Sequence, residues 1–275
     1  MKTRNKSVIL NLFQNLTTKT IIATALIGVS TTAFASLEDC YKAGARGYFE
    51  QAISDCKPYA DSDIAATGIY AASLAHEKQE SKSIPYLMKY IKYYDNHPIE
   101  DIIVLASAYG TLGNIYYFGS AEPKYPKDTT KGIEYITKGA KLGSPIAQEQ
   151  LGSFYASDKN EGFSKNFSMS YYWYTIGKLN NGNKYNQSYV YQNMDFFTKS
   201  GKYCLAVGKQ MVAQAYLDGF GGLPKDKSKA EKYLAEAIDL YKADGKPTED
   251  EIKYCSPPKG SDISLESAEK LYKSL

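Results

Sequence analysis

Arginine is nearly missing from this chain: Arg4 and Arg46 are the only two among 33 basic residues. Without an arginine-rich stripe, and with lysines that alternate with acids along the expected helix faces, the composition excludes an electrostatic nucleic-acid surface. Alternating Lys and Glu is ordinary solvated helix surface. Histidine is as scarce, with only His76 and His97. Neither is spaced with a cysteine and no Cys-x-x-Cys occurs, so no metal set is written into the sequence. No apolar run reaches the roughly 20 residues of a spanning helix. Gly-x-Ser-x-Gly, a phosphate loop and His-Glu-x-x-His are all missing. Ser-x-x-Lys does occur, at Ser54 to Lys57 and Ser267 to Lys270. About two or three such matches arise by chance in a chain rich in both residues, and no Ser-Asp-Asn or Lys-Thr-Gly accompanies them. The sequence therefore offers no catalytic set and calls for no cofactor. A weak hydrolase acting on β-lactams or peptidoglycan is the sharpest rival reading that those serines leave.

The amino terminus is processing signal rather than fold. Lys2, Arg4, Lys6 and Lys19 stand without a single acid before the apolar run 21–29 and the small-residue end Ala33-Phe34-Ala35. This is the pattern of a secretory signal peptide over residues 1–35, cleaved before Ser36. No cysteine follows the cleavage site directly, so no lipid anchor is expected. Four of the 33 basic residues leave with the segment and all 30 acids stay, which takes the balance from +3 to about −1. What remains, residues 36–275, is expected to be one helical-repeat domain with no integral membrane segment, periplasmic or secreted.

Four cysteines survive cleavage: Cys40, Cys56, Cys204 and Cys255. In an exported chain that favours two disulfides. Cys40 and Cys56 lie about equally far from the turn at Arg46-Gly47, so in a helix hairpin they stand at the same height on facing helices. That pairs Cys40 with Cys56, and by elimination Cys204 with Cys255. The loops would stabilise by about 3 and about 4 kcal/mol in the chain-entropy model.

Organisation comes from one stretch, residues 112–143. Leu112-Gly113-x-x-Tyr116-x-x-Gly119 puts a large, a small and an aromatic residue on one helical face, and Asp128-x-x-Lys131-Gly132-x-x-Tyr135-x-x-Lys138-Gly139-Ala140 does so for a partner helix. Small residues let two backbones approach while tyrosines fill the space beside them. Leu151-Gly152-x-x-Tyr155 repeats the first half, and Trp173 falls where Tyr135 did. Ala213-x-x-Tyr216-x-x-Gly219, Asp226 and Lys229-Ala230-x-x-Tyr233 repeat the whole. Residues 36–58 and 64–94 read as two further hairpins, with Asp63 as an amino cap and Pro85 near a helix start. Residues 180–188 read as a loop insertion, Thr248 to Asp250 as the start of a short helix carrying Cys255 back toward Cys204, and residues 264–272 as a terminal helix. The expected fold is all-α: a solenoid of about five hairpins closed by a short carboxy-terminal helix.

The motif Leu-Gly-x-x-Tyr-x-x-Gly, a turn, Asp-x-x-Lys-Ala-x-x-Tyr/Trp-x-x-Lys-Ala resembles the Sel-one-like repeat (SLR) family, a branch of the tetratricopeptide-like α-solenoids with exported bacterial members. Departures are visible: Gly132 stands where Ala is usual, the second unit lacks the later glycine, and the third has Val212-Ala213 for Leu-Gly. The resemblance implies partner binding on the inner surface of a superhelix, with no common catalytic residue, and an exported branch of the family with disulfide-locked helix pairs looks like the Cys40 and Cys56 placement.

Tyrosine is the compositional outlier, with 26 residues. The repeat pattern takes Tyr116, Tyr135, Tyr155, Tyr216 and Tyr233 as core. Their neighbours cannot all face inward on one helix, so Tyr117, Tyr172 and Tyr174 are expected on a surface as contact residues, where tyrosine offers apolar area and a hydroxyl at low entropy cost. The function expected is an exported scaffold holding a protein or peptide partner in the bacterial envelope; a cell-wall glycan or peptide binder is the alternative.

Overall fold

The structure, a computed structural model, describes residues 35–98, 102–120, 125–180 and 201–275. The expected signal peptide and the loop insertion over 180–188 lie outside the described residues, apart from Ala35 and Asn180. Among the described residues twelve α-helices and one 3-10 turn (Lys57–Tyr59) account for the regular structure, and there is no strand. The fold is all-α, as the periodicity predicts. The chain divides into two compact units between Tyr135 and Ile136.

The first unit opens with α1 (Leu37–Arg46) and α2 (Phe49–Cys56). Ser36 and Asp39 form a reciprocal cap: the Asp39 N–H donates to Ser36 Oγ at 3.2 Å and the Ser36 N–H to Asp39 Oδ2 at 2.9 Å. The other end of α1 closes on Gly47, whose φ of 69° is the left-handed conformation that glycine adopts without cost. The hairpin this makes brings the α-carbons of Cys40 and Cys56 to 4.7 Å, and their side chains are bonded.

Next come α3 (Ile64–His76), capped by Asp63 on the Ala66 N–H, and α4 (Glu80–Tyr94). Helix α4 starts at Glu80, so Pro85 lies within the helix and not near its start as its sequence suggests. Burial decides this. Ser81, Ser83 and Ile84 are all buried, and the Ser83 hydroxyl donates to the Ala71 carbonyl of α3 at 2.7 Å. Helix α5 (Ile102–Phe118) and the first turns of α6 (Thr129–Lys141) complete the unit.

The second unit takes the rest of α6, then α7 (Pro145–Tyr155), α8 (Phe167–Asn180), α9 (Lys202–Asp218), α10 (Lys227–Asp244), α11 (Glu249–Cys255) and α12 (Leu265–Ser274). The three strongest repeats share one turn geometry. The N–H groups of Asp128, Asn166 and Asp226 donate to the carbonyls of Tyr116, Tyr155 and Tyr216 at 2.8, 2.8 and 3.0 Å. Asp128 and Asp226 each then cap the following helix through the N–H three residues on, both at 3.0 Å. Two of the repeats also set a lysine on the tyrosine face, Lys131 over Tyr116 at 4.3 Å and Lys229 over Tyr216 at 5.3 Å. Leu112 and Leu151, equivalent by motif, are both buried.

Glycine sets how close paired helices come. A Cβ built on Gly68, Gly152 or Gly208 would stand 2.6, 2.7 and 2.5 Å from the rings of Tyr90, Tyr174 and Tyr171. On Gly132 it would meet the Tyr117 backbone nitrogen at 2.5 Å, which is why Gly replaces the usual Ala there.

Burying so many phenols makes the fold sensitive to alkali. Burial first, and then the Asp63 and Asp95 carboxylates that accept their hydrogen bonds, hold the Tyr41 and Tyr109 hydroxyls well above the ordinary tyrosine range. Burial also raises Tyr233 and Tyr241. The folded chain thus keeps protons that the unfolded chain releases near pH 10, so stability is fully present below about pH 10 and falls as pH rises through the folded values. Thermal midpoints should be flat from about pH 7 to 9 and drop above about 10, with the exposed tyrosines ionising first and the remaining tyrosinate absorbance appearing only as helical circular dichroism is lost. Ionisation of all the tyrosines near pH 10 with the helices intact would contradict this burial.

Candidate functional site

Helix α8 carries four consecutive aromatics, and the structure buries all of them. Tyr172 and Tyr174 are 7% and 3% exposed, and Tyr117 on α5 is 4% exposed. The expectation that these three stand on a surface is therefore corrected. Its premise was that a helix has one inward side, whereas α8 lies between α7 and α9 and has no wide solvent face. Successive residues point about 100° apart, so each ring meets a different neighbour. Tyr171 lies on Gly208 of α9 and Tyr174 on Gly152 of α7. The Trp173 ring centroid is 6.4 Å from that of Phe220. Conversely, Tyr135, Tyr155 and Tyr233, taken from the repeat pattern as core, are only half-buried, while Tyr116 and Tyr216 are buried as expected.

Tyr172 lines a cavity. The cavity has a volume of about 230 Å³. One wall is a stripe of α9, Met211, Gln214, Ala215 and Asp218, spaced so that all four share a helical face. Tyr172 stands opposite, and Phe220 follows as the chain leaves α9 through Gly219, which has a φ of 69°. The third wall is Pro258, Ser261 and Ile263, from the segment joining α11 to α12. The interior is apolar and the rim carries the Gln214 amide and the Asp218 carboxylate. Burial, and after it the Asp218 charge, keeps the Tyr172 hydroxyl well above the ordinary phenol range. It remains protonated, and among the described residues it has no hydrogen-bond partner.

The third wall is tied down from several directions. Cys204 on α9 is bonded to Cys255 at the end of α11, with α-carbons 5.0 Å apart. The Ser168 hydroxyl lies 2.9 Å from the Cys204 carbonyl and 3.0 Å from that of Cys255. Asn166 Nδ2 donates to the Ser256 carbonyl at 2.8 Å. Within the segment, the Ser261 hydroxyl donates to the Pro258 carbonyl at 2.6 Å. At its far end Gln210 Nε2 donates to Ser267 Oγ at 2.9 Å, and Ser267 Oγ donates to the Asp262 carbonyl at 2.9 Å.

These bonds also account for the two Ser-x-x-Lys matches. Ser267 is the third residue of α12 and completes the cap with Ser264. The Ser54 hydroxyl is engaged with the Gln51 carbonyl and Asp55 Oδ1, at 3.1 and 3.0 Å. Among the described residues no group of His, Cys, Asp or Glu is arranged to hold a metal ion, and no helix is long and apolar enough to cross a membrane. Sequence reasoning missed every cavity residue except Tyr172. One signal was available: Asp218 ends a helix whose last turn has no cation, against the usual placement of positive charge there.

A chain of paired helices, three of the pairs closed by the same turn, is a helical-repeat protein. The Sel1 repeat family model matches residues 106–144, 145–177 and 204–241. The chain thus carries three Sel1 repeats, and the resemblance read from the motif holds; residues 35–98 lie outside the matched segments. A Sel1 repeat protein from Oxalobacter formigenes, known from a crystal structure, is similar over 87% of this chain and 99% of that one, at 17% identity and a TM-score of 0.39. No curated protein matches. Sel1 repeats generally mediate protein–protein interaction, and proteins built from them are typically non-enzymatic scaffolds.

The third wall depends on its disulfide. Replacing Cys204 and Cys255 together by Ser should lower unfolding stability in urea by about 2–4 kcal/mol. It should also open residues 256–264 to limited proteolysis while the helix content stays. Wild-type protease resistance of that segment in the double variant would show that the hydrogen bonds alone hold the wall.

Proposed function

We propose that this chain is an exported helical-repeat scaffold that holds a protein or peptide partner in the bacterial envelope, with the cavity beside Tyr172 as a contact site. The observation that carries the reading is that cavity, walled by two repeat helices and a segment fixed to them. A hole of about 150 Å³ accommodates a benzene-sized group, so about 230 Å³ suits one large side chain of a partner and falls short of a typical cofactor pocket. Three Sel1 repeats support a protein partner. The basic and apolar start of the sequence supports export with cleavage before Ser36, leaving residues 36–275 as the working chain. Two disulfides fit an oxidising compartment, periplasmic or extracellular.

A cell-wall glycan binder is the second reading, and one observation weighs against it. Sugar rings stack on exposed aromatic faces, and the three tyrosines that would have offered such a platform are buried. Of the hydrolase candidates, the Ser54 hydroxyl is bonded within α2 and that of Ser267 within the cap of α12.

The test is crosslinking in intact cells with identification of the partner by mass spectrometry, repeated with Ser261→Trp. Ser261 is exposed on the third wall, so the indole plugs the mouth and leaves the helices unaltered. The partner adduct should fall at least about tenfold while far-ultraviolet circular dichroism is unchanged, the loss expected when a hot-spot side chain is shut out. Equal crosslinking by the plugged variant would move the contact elsewhere, and retention on purified peptidoglycan would favour the glycan reading.

A further inference from the structure

The cavity is lined by a carboxylate at a helix end. Most helices of this chain place a cation in their last turn: Arg46 in α1, Lys92 in α4, Lys178 in α8, Lys242 in α10 and Lys273 in α12. Helix α9 has none there and ends on an acid, Asp218. Its final carbonyls and that carboxylate add in sign, since a helix carboxy terminus carries about half a negative charge. Among the described residues Asp218 makes no ion pair. Its contact is the Gln214 amide, at 3.1 Å from both carboxylate oxygens. Lys225, whose stem passes beside Gly219, forms no bridge to it. Tyr172, 7% exposed, lines the same cavity, and its hydroxyl makes no hydrogen bond among the described residues. A carboxylate with spare lone pairs and a phenol oxygen without a protein partner, both lining an apolar cavity, together form an acceptor for a cationic N–H group.

We infer that the cavity takes a peptide segment in which an apolar side chain fills the interior and an adjacent lysine or arginine binds at the mouth, donating to Asp218 and to the Tyr172 hydroxyl oxygen. The inference rests on the reading of this cavity as a docking site and adds the chemistry of what docks. Charge complementarity selects the partner: an acidic segment would meet both the carboxylate and the helix terminus with like charge. A glycan has no cation to offer, and a free polyamine has no branched apolar group for the space between Met211, Ala215 and Ile263.

The experiment selects random peptides displayed on phage against the purified mature chain, with Ser261→Trp as the counter-selection. Peptides that survive are synthesised, labelled and measured by fluorescence anisotropy. Enrichment of an apolar residue beside Lys or Arg is expected. Asp218→Asn should weaken those peptides about tenfold, the share of one charge-assisted hydrogen bond. Asp218→Lys should abolish their binding, Tyr172→Phe should weaken it by a smaller factor, and raising salt should weaken wild-type binding more than that of Asp218→Asn. Circular dichroism confirms that each variant is folded. Peptides that are sensitive to the Ser261→Trp plug yet show no basic enrichment, or bind Asp218→Asn equally, overturn the inference and leave the docking site standing. Failure to select any plug-sensitive peptide overturns both.

Discussion

Where a tyrosine ring lies directly on a glycine of the neighbouring helix, two backbones come closer than any pair of side chains would permit, and the ring fills the groove that this opens. Gly68 with Tyr90, Gly152 with Tyr174 and Gly208 with Tyr171 all do this. A helix interior is an unfavourable place for glycine, by about 1 kcal/mol relative to alanine. The chain bears that cost repeatedly because an alanine methyl would sit where the ring is. The rings so held are then buried. Tyrosine abundance and glycine placement are thus two sides of one packing rule.

The candidate site follows from the same rule. Tyr171 against α9 and Tyr174 against α7 fix the rotation of α8 about its axis, and that rotation leaves Tyr172 facing the cavity. The stripe from Met211 to Asp218 is what α9 still presents once Gly208 has received Tyr171. What the repeats do not supply is the remaining wall, which comes from the chain after the last matched repeat. The Cys204–Cys255 bond and the hydrogen bonds of Asn166 and Ser168 carry that segment back across α8 and α9. A repeat scaffold thereby acquires a pocket that no single hairpin has.

Much of the fold was legible because it rests on local chemistry. Asp63, Asp128, Ser144 and Asp226 announce helix starts, Gly47 and Gly219 announce ends, and the Leu-Gly-x-x-Tyr spacing announces paired helices. The Cys40 and Cys56 positions follow from equal distances to a turn. Pro85 was less legible, since the start of α4 is fixed by burial of Ser83 and Ile84 against α3. The site was legible at one residue only. Tyr172 was singled out on the argument that it had to be exposed, and it reaches the cavity although it is buried; Tyr117 and Tyr174 pack within their hairpins instead. Helical spacing gives the direction of a side chain but not how many neighbours wrap the helix, and α8 is wrapped on several sides. Pro258 and Ile263 carry no repeat motif, and their contacts are made across the fold, with residues distant in sequence.

The most direct measurement of the packing rule is a double-mutant cycle between Gly152 and Tyr174, read by urea unfolding. If the ring occupies the methyl position, Gly152→Ala in the native background should destabilise by about 1–3 kcal/mol, as overpacking does. The same change in a Tyr174→Leu background should lose that penalty and approach the gain of about 1 kcal/mol that alanine gives an unhindered helix. Gly152→Ala stabilising the native chain outright, with no coupling to residue 174, would contradict the account.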